Sequence, residues 1–178
     1  FCLPATGTIA RAGSGFGGAR GGPKLQIRVK RVHPYAKLPT YAKPGDSGMD
    51  LHSVLSEIEM PPGEIEIIPT GICLEIPEGY EGQVRPRSGL SSNDGLIAVL
   101  GTIDSGYRGE VNVILRNIKS YEQTVKRGDR VAQLVIAPVA RAELVEVDEL
   151  SETERGTDGF GSTGVSDDAG TRFADSRQ

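Results

Sequence analysis

Ile72-Cys73-Leu74-Glu75-Ile76 decides the fold. Ile72, Leu74 and Ile76 fall on one side of an extended chain and Cys73 and Glu75 on the other, the period of two that a half-buried strand needs and a helix does not match. Working outward, Leu25, Ile27 and Val29 alternate in the same way with Gln26, Arg28 and Lys30. Short runs of similar character at 64–68, 83–85, 95–100, 111–118, 130–137 and 143–147 are separated by Gly, Pro, Asn or Asp, the punctuation of tight turns. Only 88–93 and 148–152 leave room for a helical turn. Many short strands with scarce helix predict an all-β, jelly-roll-like β-barrel.

A length of 178 residues predicts one domain, and 24 glycines and 11 prolines beside 5 % aromatics suit a chain made mostly of turns and short strands. The longest apolar stretch, 134–140, is far short of the roughly 18 residues of a membrane-spanning helix, so no membrane partner is expected. A formal charge of -4 opposes sequence-independent binding to nucleic acid, which relies on a basic field. Cys2 and Cys73 make no disulfide framework and no Cys/His cluster for zinc; both read as free thiols in a reducing compartment. His33 and His52, the only histidines, sit in no recognisable nucleophile motif.

Residues 1–23 carry seven glycines, Arg11 and Arg20 but no acid and no hydrophobic period, which predicts a disordered leader. Such composition fits the remnant of an organelle transit peptide or an engineered addition; the expected location is cytoplasmic, with organelle import through the leader left open. The barrel is expected over 24–148. An acidic, non-periodic stretch then leads into a glycine-rich C-terminal arm at 149–164, long enough to reach a neighbouring subunit, and a polar, disordered tail at 165–178.

Five segments join glycine to charged or hydroxyl side chains: Gly45-Asp46-Ser47-Gly48-Met49-Asp50-Leu51, Pro86-Arg87-Ser88-Gly89-Leu90, Gly101-Thr102-Ile103-Asp104-Ser105-Gly106-Tyr107-Arg108-Gly109-Glu110, Arg127-Gly128-Asp129-Arg130-Val131-Ala132-Gln133 and Arg155-Gly156-Thr157-Asp158-Gly159-Phe160-Gly161-Ser162-Thr163-Gly164. Guanidinium forks, hydroxyls, an amide, exposed backbone N–H groups and carboxylates are the inventory of a polyphosphate site. Two literal Gly-x-Gly-x-x-Gly matches, from Gly13 and from Gly159, are not dinucleotide fingerprints, because neither lies between a strand and a helix.

In order and wording the five segments resemble the trimeric deoxyuridine triphosphatases (dUTPases), over about 25–164. The resemblance implies a dUTP diphosphatase that hydrolyses dUTP to dUMP and pyrophosphate with Mg2+, limiting uracil in DNA and supplying dUMP for thymidylate synthesis. It also implies a homotrimer whose sites are shared between subunits. Asp104 matches the water-activating aspartate, and Tyr107 the tyrosine that lies against deoxyribose. Arg87, Ser88 and Gly89 look like phosphate ligands, Gln133 the amide donor near the α-phosphate, and Asp50 the carboxylate that supports the metal through coordinated waters. Asp46 has the weaker claim, as a turn-former; Arg130 and Asp129 read equally well as a structural ion pair. Where many relatives place an asparagine before the Gly-x-Ile-Asp turn, this chain reads Ala98-Val99-Leu100-Gly101, so uracil recognition is expected from the main chain of Val99, Leu100 and Gly101. In the arm, Phe160 would stack over uracil, Gly161 would bind substrate through a backbone kept flexible by Gly159, Gly161 and Gly164, and Arg155, Ser162 and Thr163 would hold the γ-phosphate end. The competing readings are a dCTP deaminase-like enzyme and a non-catalytic, nucleotide-sensing trimeric barrel.

Truncation after Glu154 is predicted to leave a folded trimer whose dUTP turnover is severely reduced, read as steady-state pyrophosphate release beside a sedimentation measurement; full turnover in the truncated protein would eliminate the lid.

Overall fold

The computed structural model describes residues 25–157. The expected leader and tail, and with them Phe160, Gly161, Ser162 and Thr163 of the arm, lie outside the described residues.

Among the described residues, ten strands form three antiparallel sheets. They are β1 (Arg28–Arg31), β2 (Met49–His52), β3 (Glu57–Met60), β4 (Ile65–Glu75), β5 (Tyr80–Arg85), β6 (Leu96–Ala98), β7 (Gly101–Ile103), β8 (Glu110–Asn117), β9 (Gln123–Lys126) and β10 (Arg130–Pro138). Sheet orders are β1-β4-β8-β6 and β2-β10-β5-β7, with β3-β9 as a separate pair. Non-consecutive neighbours in both larger sheets are the long crossings of a jelly roll. A single wide helical turn at Leu90–Asp94 meets the expectation at 88–93. No described helix is long and apolar enough to cross a membrane.

β8 shows why this sequence makes a layered barrel. Val111, Val113, Leu115 and Asn117 are buried, while the residues between them face outward. Val113 and Leu115 pack with Ile68, Ile72, Met60, Leu51 and Leu134 in one core. β4 is a single eleven-residue strand in which the two expected runs, 64–68 and 72–76, join through a register shift between Pro69 and Cys73. Gly71 makes the joint. Its φ is +72°, and a Cβ there would lie 2.7 Å from His33 Cβ and 2.8 Å from Ala36 Cβ, so only glycine combines this turn with this close approach.

Some expectations need correction. The N-terminal alternation over 25–30 yields only β1, all four of whose residues are exposed, because β1 sits at a sheet edge beside β4. No strand forms at 143–147 and no helical turn at 148–152. Leu144 is 95 % and Leu150 87 % exposed, so neither stretch has a surface to pack on, and without one a short extended run or a lone turn is not sustained. The compact barrel closes at Ala140, and the chain from Arg141 onward forms a second unit. Four strands escape the sequence pattern: β2, β3, β7 and β9 have only three or four residues each, too few for a periodic signal.

Asn117 is the polar keystone of this core. Fully buried, its Nδ2 donates to the carbonyls of Met60 (2.8 Å), Tyr121 (2.9 Å) and Pro61 (3.2 Å), and its Oδ1 accepts from Lys119 N at 2.9 Å. The side chain thereby ties the end of β8 to the β3-β9 pair. Asn117→Ala would strand these buried groups and is expected to cost about 2–4 kcal/mol in equilibrium urea unfolding, on the scale of unsatisfied buried hydrogen-bonding groups; a loss below half that range would show that the keystone is dispensable.

Candidate functional site

Three of the five segments converge. Antiparallel pairing sets Gln133 of β10 opposite Asp50 of β2 on one side and Arg85 of β5 on the other. Leu51, Val84 and Leu134 point into the core from the same strands, so Asp50 and Gln133 face outward. Directly after β5, Pro86 carries the chain into Arg87, Ser88 and Gly89. A cavity of about 240 Å³ is lined by Asp50, Arg87, Ser88, Gly89 and Gln133, together with the turn at Asp46, Ser47 and Gly48.

Within this cavity Asp50 organises the charge. Arg87 Nε donates to its Oδ1 at 2.9 Å, and Arg130 Nη1 lies 3.5 Å from its Oδ2. Two guanidinium groups on one carboxylate leave a local charge of +1, facing a cavity whose other groups are hydroxyls, an amide and glycine backbone. The Asp50 side chain is only 14 % exposed, so its pairs are screened less than surface ion pairs. Gln133 donates from Nε2 to the Pro86 carbonyl at 2.8 Å, fixing the amide beside Arg87. Gly48 makes room for it: a Cβ there would lie 2.3 Å from Gln133 Oε1. Asp46 accepts from Lys43 N at 2.7 Å and shapes the turn, as its weaker claim implied.

The ion pair between Asp129 and Arg130, one of two readings left open, does not form. Asp129 accepts instead from Lys126 N at 2.8 Å, while Arg130 turns to Asp50. His52, unassigned by sequence reasoning, neighbours this cluster. Burial first, and then the Lys37 cation, hold its imidazole below the ordinary histidine value of 6.5; Arg130 and Arg87 act in the same direction and Asp50 opposes them. Its buried Nδ1 has no hydrogen-bond partner.

The third segment lies elsewhere in the same chain. β7 runs antiparallel to β5 with Gly101 opposite Val84 and Ile103 opposite Gly82. Asp104 therefore leaves at the Gly82 end, whereas Arg87 leaves beyond Arg85, roughly 10 Å further along β5 at 3.3 Å per residue. Asp104 is exposed in a turn closed by Tyr107 N on its carbonyl at 3.0 Å. Tyr107 anchors its hydroxyl on the Glu110 carbonyl at 3.0 Å and leaves its ring 44 % exposed. Val99 and Leu100 are exposed at the β6–β7 connection, with the Val99 N–H already donated to Ile114 O at 2.8 Å. Asp104 and Tyr107 thus stand together in a turn that does not line the first cavity, while Leu100 lies at the other end of β7. Arg155 lies in the separate C-terminal unit.

The donor set admits a metal in one way only. Among the described residues no three His, Cys, Asp or Glu side chains gather, and both Asp50 oxygens already meet a guanidinium. Such a donor set fits Mg2+, which keeps its waters and is held largely by substrate phosphates; a carboxylate oxygen retains lone-pair capacity for such a water.

The model of the dUTPase family matches residues 34–164. The chain belongs to the dUTPase family. Among its relatives, the deoxyuridine 5'-triphosphate nucleotidohydrolase of Caldanaerobacter subterraneus is 53 % identical over 146 residues, 79 % of this chain and 99 % of that protein. The enzyme of the same name from Gloeothece citriformis is 49 % identical over 147 residues, 81 % of this chain and all of that protein. Among solved structures, the Staphylococcus bacteriophage 80alpha dUTPase with dUPNHPP superposes with a TM-score of 0.75 at 32 % identity, covering 79 % of this chain and 99 % of that one. A mutant dUTPase from phage phi11 of S. aureus, described with coordination of a structural Mg(II) ion, superposes at 0.66 with 29 % identity over 70 % of this chain and 97 % of its own.

His52 yields a pH prediction. Its folded-state value lies below that of the unfolded chain, so the unfolded chain takes up the proton first: stability present above pH 6.5 is lost as pH falls toward and through the lower folded-state value. Replacing His52 by Asn is expected to flatten the fall of the melting midpoint below pH 6.5, and an unchanged slope would clear His52 of that role.

Proposed function

We propose that this chain hydrolyses dUTP to dUMP and pyrophosphate at sites shared between the subunits of a homotrimer. The observation that carries the proposal is the Asp50-centred pair of guanidinium groups beside the neutral Gln133 amide, in a chain of the dUTPase family. A net positive rim of forks and hydroxyls grips a phosphate chain, while a neutral donor orients the phosphoryl group under attack without forming an ion pair to it.

Arg87, Ser88 and the Gly89 N–H hold the phosphates, and Gln133 orients the α-phosphate. Leu100, Gly101 and the free side of Val99 read the uracil edge through the main chain, and the exposed ring of Tyr107 lies against deoxyribose. Asp104 accepts the proton of a water whose oxygen bonds to the α-phosphorus as the bond from that phosphorus to the bridging oxygen breaks; the bridging electrons leave with pyrophosphate. Mg2+, when bound, supplies charge neutralisation on the phosphate oxygens, with Asp50 meeting its waters. The arm, through Arg155, Phe160, Gly161, Ser162 and Thr163, closes over the substrate.

Two observations support the trimer. In one chain the Asp104 and Tyr107 turn and the cluster of Arg87 and Gln133 leave opposite ends of the β5-β7 pair, as expected if each site draws them from adjoining protomers. The outer face of the β1-β4-β8-β6 sheet also exposes Ile67 (62 %) and Ile65 (54 %), with Ile114 of β8 (41 %) directly opposite Ile67. Adjacent β-branched side chains on an open sheet face are surface that a second copy would bury.

With Mg2+ present, pyrophosphate release is expected from dUTP and not from dTTP, dCTP or UTP, with no ammonia released from dCTP. Asp104→Asn should still bind dUTP yet turn it over about 100-fold more slowly, the usual scale of general-base catalysis. Binding of dUTP without turnover by the native protein, or ammonia from dCTP, would replace this reading with one of its competitors.

A further inference from the structure

Arg130 stands at a break in the β2-β10 ladder. His52 pairs with Arg130 and Leu51 with Ala132, so the register shifts and Val131 is the extra residue. In a regular strand, residues three apart point to opposite faces, and Arg130 would turn away from Gln133. The bulge reverses this: a single inserted residue puts Arg130 on the outward face with Gln133 and Asp50, the re-aiming that bulges accomplish beside functional sites. Arg130 then contacts Arg87 by two routes. Its guanidinium lies 3.5 Å from Asp50 Oδ2, across the carboxylate from Arg87 on Oδ1, and its own carbonyl accepts from Arg87 Nη1 at 3.4 Å. The three residues close a ring.

We propose that Arg130 is a positioning residue for phosphate binding: the bulge at Val131 aims its side chain at Asp50 so that carboxylate and carbonyl together fix the plane of the Arg87 fork. The inference rests on the phosphate site proposed above and assigns how its principal cation is oriented. The contact at Arg87 Nη1 comes from the Arg130 backbone carbonyl, which replacement of the side chain leaves in place; the Arg130 side chain adds the hold on Asp50 Oδ2, without which the carboxylate is free to rotate and to carry Arg87 Nε with it. Occupying Oδ2 with Arg130 also keeps Asp50 from turning that oxygen toward the incoming phosphates, where like charges would repel.

The test is a double-variant cycle on the full chain, with binding of the non-hydrolysable α,β-imido analogue of dUTP measured by calorimetry beside kcat and KM for dUTP. Arg130→Gln is expected to weaken analogue binding and raise KM about ten-fold, with a smaller change in kcat, as for loss of ground-state and transition-state binding alike. In an Arg87→Gln background the same change should have no further effect, because Arg130 acts through Arg87. Arg130→Lys, which keeps the charge but not the planar fork, should fall between native and Gln. Melting midpoints accompany each variant, and should Arg130→Gln fail to fold, Arg130→Lys carries the same cycle. Native affinity and KM in the Arg130 variants, or equal losses with and without Arg87, would overturn the proposal. A native protein inert toward dUTP would instead remove the functional reading beneath it, so the two failures are distinguishable.

Discussion

One carboxylate shared by two guanidinium groups is the interaction on which the proposed phosphate site depends. Arg87, just past the end of β5, and Arg130 of β10 carry like charges that would repel unless something stood between. Asp50 stands there, one oxygen for each, its side chain largely enclosed. The pair of attractions outweighs the single repulsion because each opposite-charge contact is shorter than the separation of the two cations across the carboxylate. What remains is a surplus of one positive charge, directed outward and unable to collapse onto the protein.

The barrel serves this arrangement without containing it. Its interior is filled by apolar side chains, with Asn117 as the main polar exception, so chemistry is confined to the outer faces and the turns. On the β2-β10-β5-β7 sheet the outward row from Asp50 through Gln133 leads to the exit of β5, and the chain departs into Arg87, Ser88 and Gly89. Antiparallel pairing of β7 with β5 then dictates that the Asp104 turn emerges from the far end. The separation of the Asp104 turn from the Arg87 segment follows from strand direction alone.

How much of this was legible in the sequence depends on strand length and partners. β8 announces itself, since eight residues of alternation leave little choice, and β10 does so as a nearly continuous apolar run. β7 and β2 do not: each has three or four residues embedded in a glycine-rich turn whose composition reads as loop. The run around Leu144 and Val147 misleads in the other direction, because alternation describes a strand's preference and says nothing about whether an edge is within reach. Asp50, Arg87, Ser88, Gly89 and Gln133 were found through segment wording and are brought together by the fold. Arg130 was in view, with an ion pair to Asp129 as one of its readings, and its partner Asp50 was not seen because the bulge that aims it leaves no mark in residue type. His52 was missed because a histidine in a four-residue strand carries no motif.

In the proposed reaction the net charge of the rim also bears on turnover. Two uncompensated guanidinium groups would bind a triphosphate strongly, yet they would bind the pyrophosphate product by the same contacts, and affinity common to substrate and product slows release without lowering the barrier. Asp50 cancels one of those charges while improving the geometry of the other. Gln133 continues the same logic at the next position: an amide can direct a phosphoryl oxygen through one well-placed hydrogen bond, fixed here by the Pro86 carbonyl, and it adds no charge that would have to be separated when the products depart. Precision of placement thus substitutes for strength of attraction, and that substitution requires a rigid outer sheet face with Gly48 cleared beneath the amide, which the barrel supplies.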